Sequence, residues 1–506
     1  MASVVIFGFK DGLFVAAASD AYGYVSEADL WARGTLVVHQ PSAEHMTWRN
    51  ASASLAPLGY RPHTANPADK DIVPIYSPGV PMLMAIFELA LGRRAVFYVV
   101  PLLGGLAVWA TYLMGSRLGG SLTGAAAAVL LAASPTFLFE IVAPASDVAC
   151  TAWWALALAL LMIERRSAAL GAGVATGLAI LTRPNLAPLA AIPAAALVWR
   201  ASRTWVVRRG ASVASDPHAV ARALLFAAGF VPACVAVALI NERLYGSPLA
   251  SGYGPFDSLY SWSFFTTNLA RYPRWIIETQ TIIVLLALAA PFVLDRSAPA
   301  SGVRHPRTLA IVWLVFAGAT FLAYAVYLPF DEWWYVRFLM PAYPPILALT
   351  CVVLWRLATP LERFFAGAQT LLASVLVAGV AWHGVSFSIE RGAQRQWVAE
   401  QRYATAGRFI AAYLPHRAAI ICMQHSGGVR YYGHRITIRY DVIEPADLDG
   451  VLAQLRRLGY LPYLVLDDWE EPRFRQRFNG HARAGALDWS PLAQFDGVKI
   501  YDLAGH

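Results

Sequence analysis

Long apolar runs, separated by short polar breaks, fill the middle of the chain. They fall at roughly 95–114, 121–139, 147–163, 168–182, 185–199, 219–240, 279–294, 308–328, 341–355 and 364–386. Each predicts a helix that enters or crosses a bilayer, where a full crossing takes about 20 residues. The runs 168–182 and 185–199 are short, and form either tilted spans or a re-entrant hairpin. Before them the pattern is broken. Residues 1–18 are apolar but carry Lys10 and Asp11, and are too short to cross. A first transmembrane helix upstream of Met1 is therefore expected, since the run does not have the form of a secretory leader. SEADLWARG predicts a short helix, 40–77 a loop rich in Pro, Ala and Asn, and SPGVPMLMAIFELALG an interfacial helix opened by Pro.

After the last apolar run, helix and strand signals alternate. Residues 396–413 read as a helix, AAIICM as a strand, ADLDGVLAQLRRLGY as an amphipathic helix, PYLVLDD as a buried strand, EPRFRQRF as a helix and VKIYDL as a closing strand. The expected organisation has three regions. Residues 1–92 form an outer segment with interfacial helices, 93–386 a transmembrane domain, and 387–506 a small soluble α/β domain.

Composition strengthens this picture. The 506 residues are 58% hydrophobic and only 14% charged, against about 25% charged in soluble proteins. The chain reads as a polytopic α-helical membrane protein of about ten spans. Its net charge of +8 comes from basic residues gathered in short loops. Arg117; Arg165 and Arg166; Arg200, Arg203, Arg208 and Arg209; Arg296, Arg304 and Arg307; and Arg356 and Arg363 occupy every second loop. The positive-inside rule makes those loops cytoplasmic and argues against nucleic acid as a partner. The alternate loops face outward with the C-terminal domain; Arg93 and Arg94, on that side, can snorkel to the interface. Cys150, Cys234 and Cys351 lie in apolar runs and Cys422 stands alone, so neither a disulfide framework nor a cysteine metal site is predicted.

Candidate chemistry therefore sits in the outer loops. Asp20, in SDAYGYVSEADLW, is a carboxylate among aromatic and small residues at the edge of the membrane domain. It reads as a general base or acceptor-orienting group, or as a helix N-cap. Asp147, in APASDVA, stands at the mouth of a span with the same two readings. Arg183 in LTRPN and Arg337 in WWYVRFLMP offer guanidinium groups suited to phosphate. Interfacial snorkelling is the alternative role for both. Lys70 is a further phosphate candidate, with an exposed loop lysine as the simpler reading. Tyr76, Tyr245 and Tyr253 can stack on a sugar or lipid, or belong to an aromatic belt. His39, His45 and His63 match no metal-ligand spacing.

The order SDAYGYVSEADLWARG, YSPGVP, ASDVA, LTRPN, NERLYGSPLASGYG and YVRFLMP resembles the GT-C superfamily of polyprenyl-phosphate-sugar-dependent glycosyltransferases. Bacterial proteins similar to protein O-mannosyltransferases and lipid A aminoarabinose transferases come nearest, over about residues 15–386. The tail, with MQHSGGVRYYGHRITIRYD and LVLDDWEEPRFRQRF, looks like that of a bacterial subgroup. The resemblance implies a GT-C-like membrane domain in a bacterial inner membrane, with an extracytoplasmic α/β domain. It implies inverting transfer of a hexose or pentose to a hydroxyl of a glycan, lipid or protein. Asp20 and Asp147 match the acidic residues of such enzymes, while Arg337, Arg183 and Lys70 would meet the donor phosphate. Tyr24, Tyr76 and Tyr253 would line the substrate. The paired acidic motif of strongly metal-dependent members is absent, so a divalent metal is left open and none is assigned. The rival readings are a lipid or solute transporter and a non-catalytic assembly protein. Span interiors with almost no charge count against the first, and acidic and basic residues gathered at span mouths against the second.

Overall fold

Helices dominate because apolar runs buried in lipid must satisfy their backbone groups internally. The computed structural model describes residues 1–64, 70–207, 218–294, 303 and 305–504, with backbone only for 203–207. Arg208, Arg209, Arg296, Arg304 and the Arg203 side chain lie outside the described residues. Five helices among the described residues are long and apolar enough to cross a membrane: Arg93–Gly119, Ala219–Tyr245, Pro306–Ala325, Trp333–Arg363 and Ala368–Glu390. Shorter apolar helices, Ser121–Ala132, Ser146–Leu161 and Arg166–Thr182, complete the bundle. The protein is a polytopic α-helical membrane protein with a small C-terminal sheet domain.

Three predicted segments differ in detail. The run 279–294 is the second limb of a helix pair, Trp262–Gln280 and Ile282–Val293, bent by 103°. The bend falls at Thr281, whose φ of 61° breaks the helix with no Pro or Gly at that position. The run 185–199 begins as the 3-10 turn Pro184–Ala190, where Pro184 and Pro188 deny the backbone two donors, before the helix Ala191–Val207. Arg337, expected at the end of a loop, lies inside the 3-10 helix Trp333–Ala342, which leads directly into the helix Tyr343–Ala358.

Helices Ser146–Leu161 and Arg166–Thr182 pack together and fix the polarity of the bundle. Beyond their shared turn Glu164 pairs with Arg200, and Arg166 reaches His218 at 2.9 Å, so the basic loops meet at one end. Asp147 and Arg183 mark the opposite ends of the same two helices. At 1.5 Å per residue, 16 residues place the two ends about 24 Å apart.

Helix Asp20–Ala32 carries nine buried residues and packs on helix Gly79–Leu91. The C-terminal sheet runs Ile436–Ile438, Ala418–Ile421, Leu461–Asp467, Val498–Asp502, Ala493–Phe495. Its first three strands are parallel and the last two antiparallel. One face of this sheet shares a core with Ala43, Met46, Ala51 and Leu55 from the long first loop. The loop and the C-terminal domain thus form one packed layer over the helices. All four cysteines are free, and Cys150, Cys351 and Cys422 are buried.

Candidate active site

Polar side chains from several separate stretches converge at the end of the bundle away from the basic loops. Asp20 stands in the first turn of its helix and Asp147 in the first turn of Ser146–Leu161. Neither caps: the N-cap positions belong to Ser19 and Ala145, and no cap hydrogen bond forms from a side chain. Both carboxylates instead turn to partners from distant parts of the chain. Asp20 Oδ1 accepts from the Tyr76 hydroxyl at 2.7 Å, and its Oδ2 accepts from Arg337 Nη2 at 3.1 Å. Asp20 is the most open member of the cluster, with 43% of its side chain exposed.

Arg337 is the hub. Its Nη1 reaches Glu140 Oε2 at 3.4 Å, and its Nε lies 4.0 Å from Asp147 Oδ1. Three carboxylates from different segments thus face one guanidinium. Glu140 is a site residue that the sequence reading misses. It closes the six-residue helix Pro135–Glu140, between two spans, and is almost wholly buried. Burial pushes its carboxyl up to about 8, against the pull of Arg337; Asp147 and Asp20 push the same way. Burial thus favours its neutral form.

Arg183 braces the far side. It donates to Asp147 Oδ1 at 2.5 Å, to Ser146 Oγ at 3.1 Å and to the Tyr324 hydroxyl at 3.2 Å. Asn185 Nδ2 also donates to Tyr324, at 3.1 Å. Phe338 lies between the two arginines, its ring 5.4 Å from the Arg183 guanidinium and 5.6 Å from that of Arg337. Tyr324 stacks on Phe338 at 5.0 Å. Aromatic faces so placed favour cations and hold both guanidinium planes in position.

The three tyrosines meet beside Asp20. Tyr24 and Tyr76 have ring centroids 4.4 Å apart, and Tyr253 meets Tyr76 edge-on at 5.8 Å. Tyr24 and Tyr76 are buried, whereas Tyr253 is 46% exposed and open to a ligand. Lys70 does not join them. Its ammonium donates to the carbonyls of Ala43 at 2.9 Å, Glu44 at 3.1 Å and Met46, closing the 41–46 turn. The assignment of Lys70 to a donor phosphate gives way to that of a loop clasp, because those carbonyls take up its donors. Among the described residues no group of three or more His, Cys, Asp or Glu is placed to hold a metal ion. Asp20, Glu140 and Asp147 all face Arg337.

Gly23 makes the close approach of Tyr76 possible. A Cβ at this position would lie 2.0 Å from Tyr76 Cε2. Gly23→Ala must displace the ring that donates to Asp20. Overpacking of this kind costs about 1–3 kcal/mol, and a misplaced catalytic group can cost roughly 10²-fold in rate. Melting temperature and turnover measured on this variant should both fall, turnover by the larger factor.

Glu140 makes stability depend on pH. Its folded pKa lies above the unfolded value, so the folded protein holds the extra proton between about 4.5 and about 8. The stabilisation is complete below that window and is lost as pH rises through it. Thermal melts of Glu140→Gln should show a shallower loss of melting temperature from pH 5 to about 9 than wild type. Glu27 is also pushed up to about 8 by burial, so a Glu27→Gln control separates the two.

Residues 77–243 match the family model for dolichyl-phosphate-mannose-protein mannosyltransferase. Comparison with curated proteins by sequence returns no match. The chain is similar in structure to ArnT from Cupriavidus metallidurans bound to undecaprenyl phosphate, with a TM-score of 0.60 and 13% identity over 99% of this chain and 96% of that one. It is also similar to the Archaeoglobus fulgidus oligosaccharyltransferase tethered to an acceptor peptide, with a TM-score of 0.56 and 13% identity over 97% and 71% of the two chains. The archaeal oligosaccharyltransferase AglB from the same organism, in complex with an inhibitory peptide and a dolichol-phosphate, gives a TM-score of 0.53 at 12% identity, over 97% and 72%. The chain thus shares the fold of ArnT and of the archaeal oligosaccharyltransferase.

Proposed function

We propose that this protein is an inverting glycosyltransferase that moves a sugar from a polyprenyl-phosphate donor to a hydroxyl acceptor at the outer face of a bacterial inner membrane. The observation that carries the reading is Arg337, held between Asp20, Glu140 and Asp147 at the mouth of the bundle. The ArnT structure bound to undecaprenyl phosphate and the AglB structure holding a dolichol-phosphate support the donor class. The sugar is a hexose or pentose, and the acceptor a glycan, lipid or protein. The basic loops at the other end of the bundle support an outward-facing site, with residues 387–506 on the same side. Residues 1–92 then serve as the first outer loop with interfacial helices, and 93–386 as the membrane domain.

In the reaction the acceptor oxygen attacks the anomeric carbon as the bond from that carbon to the phosphate oxygen breaks. The hydroxyl proton passes to Asp20, the bonding pair to the departing phosphate. Arg337 meets the charge that develops there, through bonds that strengthen toward the transition state. The donor phosphate competes with Asp20 for Arg337 Nη2, so donor binding releases the carboxylate to take the proton. A neutral Glu140 removes one negative charge from the approach of an anion. Arg183 serves the donor indirectly, by fixing Asp147. The exposed Tyr253, backed by the buried rings of Tyr76 and Tyr24, is the face on which the sugar stacks.

The donor class is tested by ligand-dependent melting in detergent. Undecaprenyl phosphate should raise the melting temperature saturably, as a ligand that binds only the folded state must. Undecaprenol, lacking the phosphate, should not. An equal response to both lipids contradicts phosphate recognition.

A further inference from the structure

Asp20 is reached through a strained stretch of chain. Phe14 and Ala18 have φ of 48° and 47°, in the left-handed region that side chains with a Cβ disfavour. Such residues are strained and persist only where surroundings over-determine them. The restraint comes from the other end of the sequence. The Ala16 amide donates to the Tyr432 hydroxyl at 2.8 Å, and the Leu13 carbonyl accepts from Gln401 Nε2 at 3.5 Å. Ala16 and Ala17 are fully buried, so no water replaces the Tyr432 oxygen.

The same C-terminal segment seats the helix that follows. Gly427 lies so close to Tyr22 that a Cβ there would stand 2.2 Å from the ring. Tyr431 meets Tyr22 edge-on at 6.4 Å, and Arg93, paired with Asp29 at 2.7 Å, packs over the Tyr431 ring at 4.7 Å. Ser426 Oγ accepts from the Leu58 amide at 3.0 Å, one residue before Gly59, which itself packs on Gly23 and Tyr76. Residues 426–432 thus touch the chain on both sides of Asp20 and behind its tyrosine partner.

This segment is itself rigidly mounted. Buried His425 bonds Asp467 at 2.9 Å at the carboxyl end of the central strand. Arg430 donates to Gln40 Oε1 at 2.8 Å, Thr437 Oγ1 at 2.7 Å and the Leu55 carbonyl. Burying an arginine with several partners makes the segment a fixed platform rather than a surface loop.

We propose that Gly427 and Tyr432 are positioning residues for the Asp20 carboxylate, which makes the C-terminal domain a structural part of the active site. The proposal rests on Asp20 as the acceptor's base. It assigns to the domain the job of holding a strained approach that the N-terminal chain alone would relax. Loss of the Tyr432 oxygen leaves a buried amide unpaired and lets residues 16–18 fall back toward unstrained values.

The test uses the full-length purified protein with a panel of undecaprenyl-phosphate-linked hexoses and pentoses, membrane extract as acceptor source, and released undecaprenyl phosphate as the readout. Gly427→Ala and Tyr432→Phe should lower kcat by roughly 10- to 100-fold at unchanged donor KM. Leu455→Ala, which opens a void in the domain's other core, should lower the melting temperature and leave kcat alone. If both positioning variants keep wild-type kcat, or lose only what Leu455→Ala loses, the positioning role is overturned while the transfer reading stands. If Asp20→Asn turns over as wild type does, the base assignment beneath the proposal is what fails.

Discussion

Asp20→Asn should lose roughly 10²–10⁴-fold in turnover, the usual worth of a general base, while binding undecaprenyl phosphate and melting close to wild type. The asparagine keeps the size and one oxygen for Tyr76, but cannot take a proton from an acceptor hydroxyl. Stability should change only modestly, because Asp20 is the part-exposed partner and Arg337 keeps Glu140 and Asp147 beside it. The two readouts therefore separate. A role in capping or packing would move the melting temperature and spare turnover; a role as base does the reverse. Glycosyl transfer assays at saturating donor, beside melts of the same preparations, decide between them.

Arg337→Gln should have the other large effect, on binding first. Removing a desolvated charge that meets a phosphate costs about 2–5 kcal/mol of binding. The same change takes a cation away from Glu140 and Asp147, of which Asp147 keeps Arg183, so stability falls as well. Baseline melting temperature alone is thus ambiguous. The decisive quantity is the shift on adding undecaprenyl phosphate, which should vanish in Arg337→Gln and survive in Glu140→Gln. Arg337→Lys should be intermediate, because it keeps the charge and loses the planar fork that binds two oxygens at once. A full ligand-induced shift in Arg337→Gln would remove Arg337 from the phosphate site.

Much of this site is legible in the amino-acid sequence. Asp20, Asp147, Arg183 and Arg337 are polar residues at the ends of apolar runs, and charges are costly enough there to signal a purpose. Their mutual contacts span up to 317 positions along the chain, which no local pattern reveals. Glu140 is hidden for a different reason. In PTFLFE it ends an apolar run, where a glutamate reads as the solvent boundary of a helix; only the fold turns it inward. Lys70 misleads in the opposite direction, because backbone carbonyls that satisfy an ammonium leave no trace in sequence. The Thr281 bend escapes notice since neither Gly nor Pro marks it, whereas Pro184 and Pro188 do signal the break after Arg183.

The C-terminal domain shows the same division. A continuous apolar run, the VKIYDL stretch and an amphipathic pattern predict the Leu461–Asp467 and Val498–Asp502 strands and the Leu448–Arg457 helix. The three-residue strands Ile436–Ile438 and Ala493–Phe495 carry too little pattern to stand out. The run SGGVRYYG looks like an unusual tail motif, and its meaning lies in what it touches. Its glycine meets Tyr22 and its second tyrosine meets Ala16, both within four residues of Asp20.

Glycosyl transfer itself is tested most directly by release of undecaprenyl phosphate from a panel of undecaprenyl-phosphate-linked hexoses and pentoses, using the wild-type protein with and without membrane extract as acceptor. Acceptor-dependent release from at least one donor is expected, with the transferred sugar carrying the inverted anomeric configuration. Release from none of the donors, or a product that retains the donor's configuration, would contradict inverting transfer by this protein.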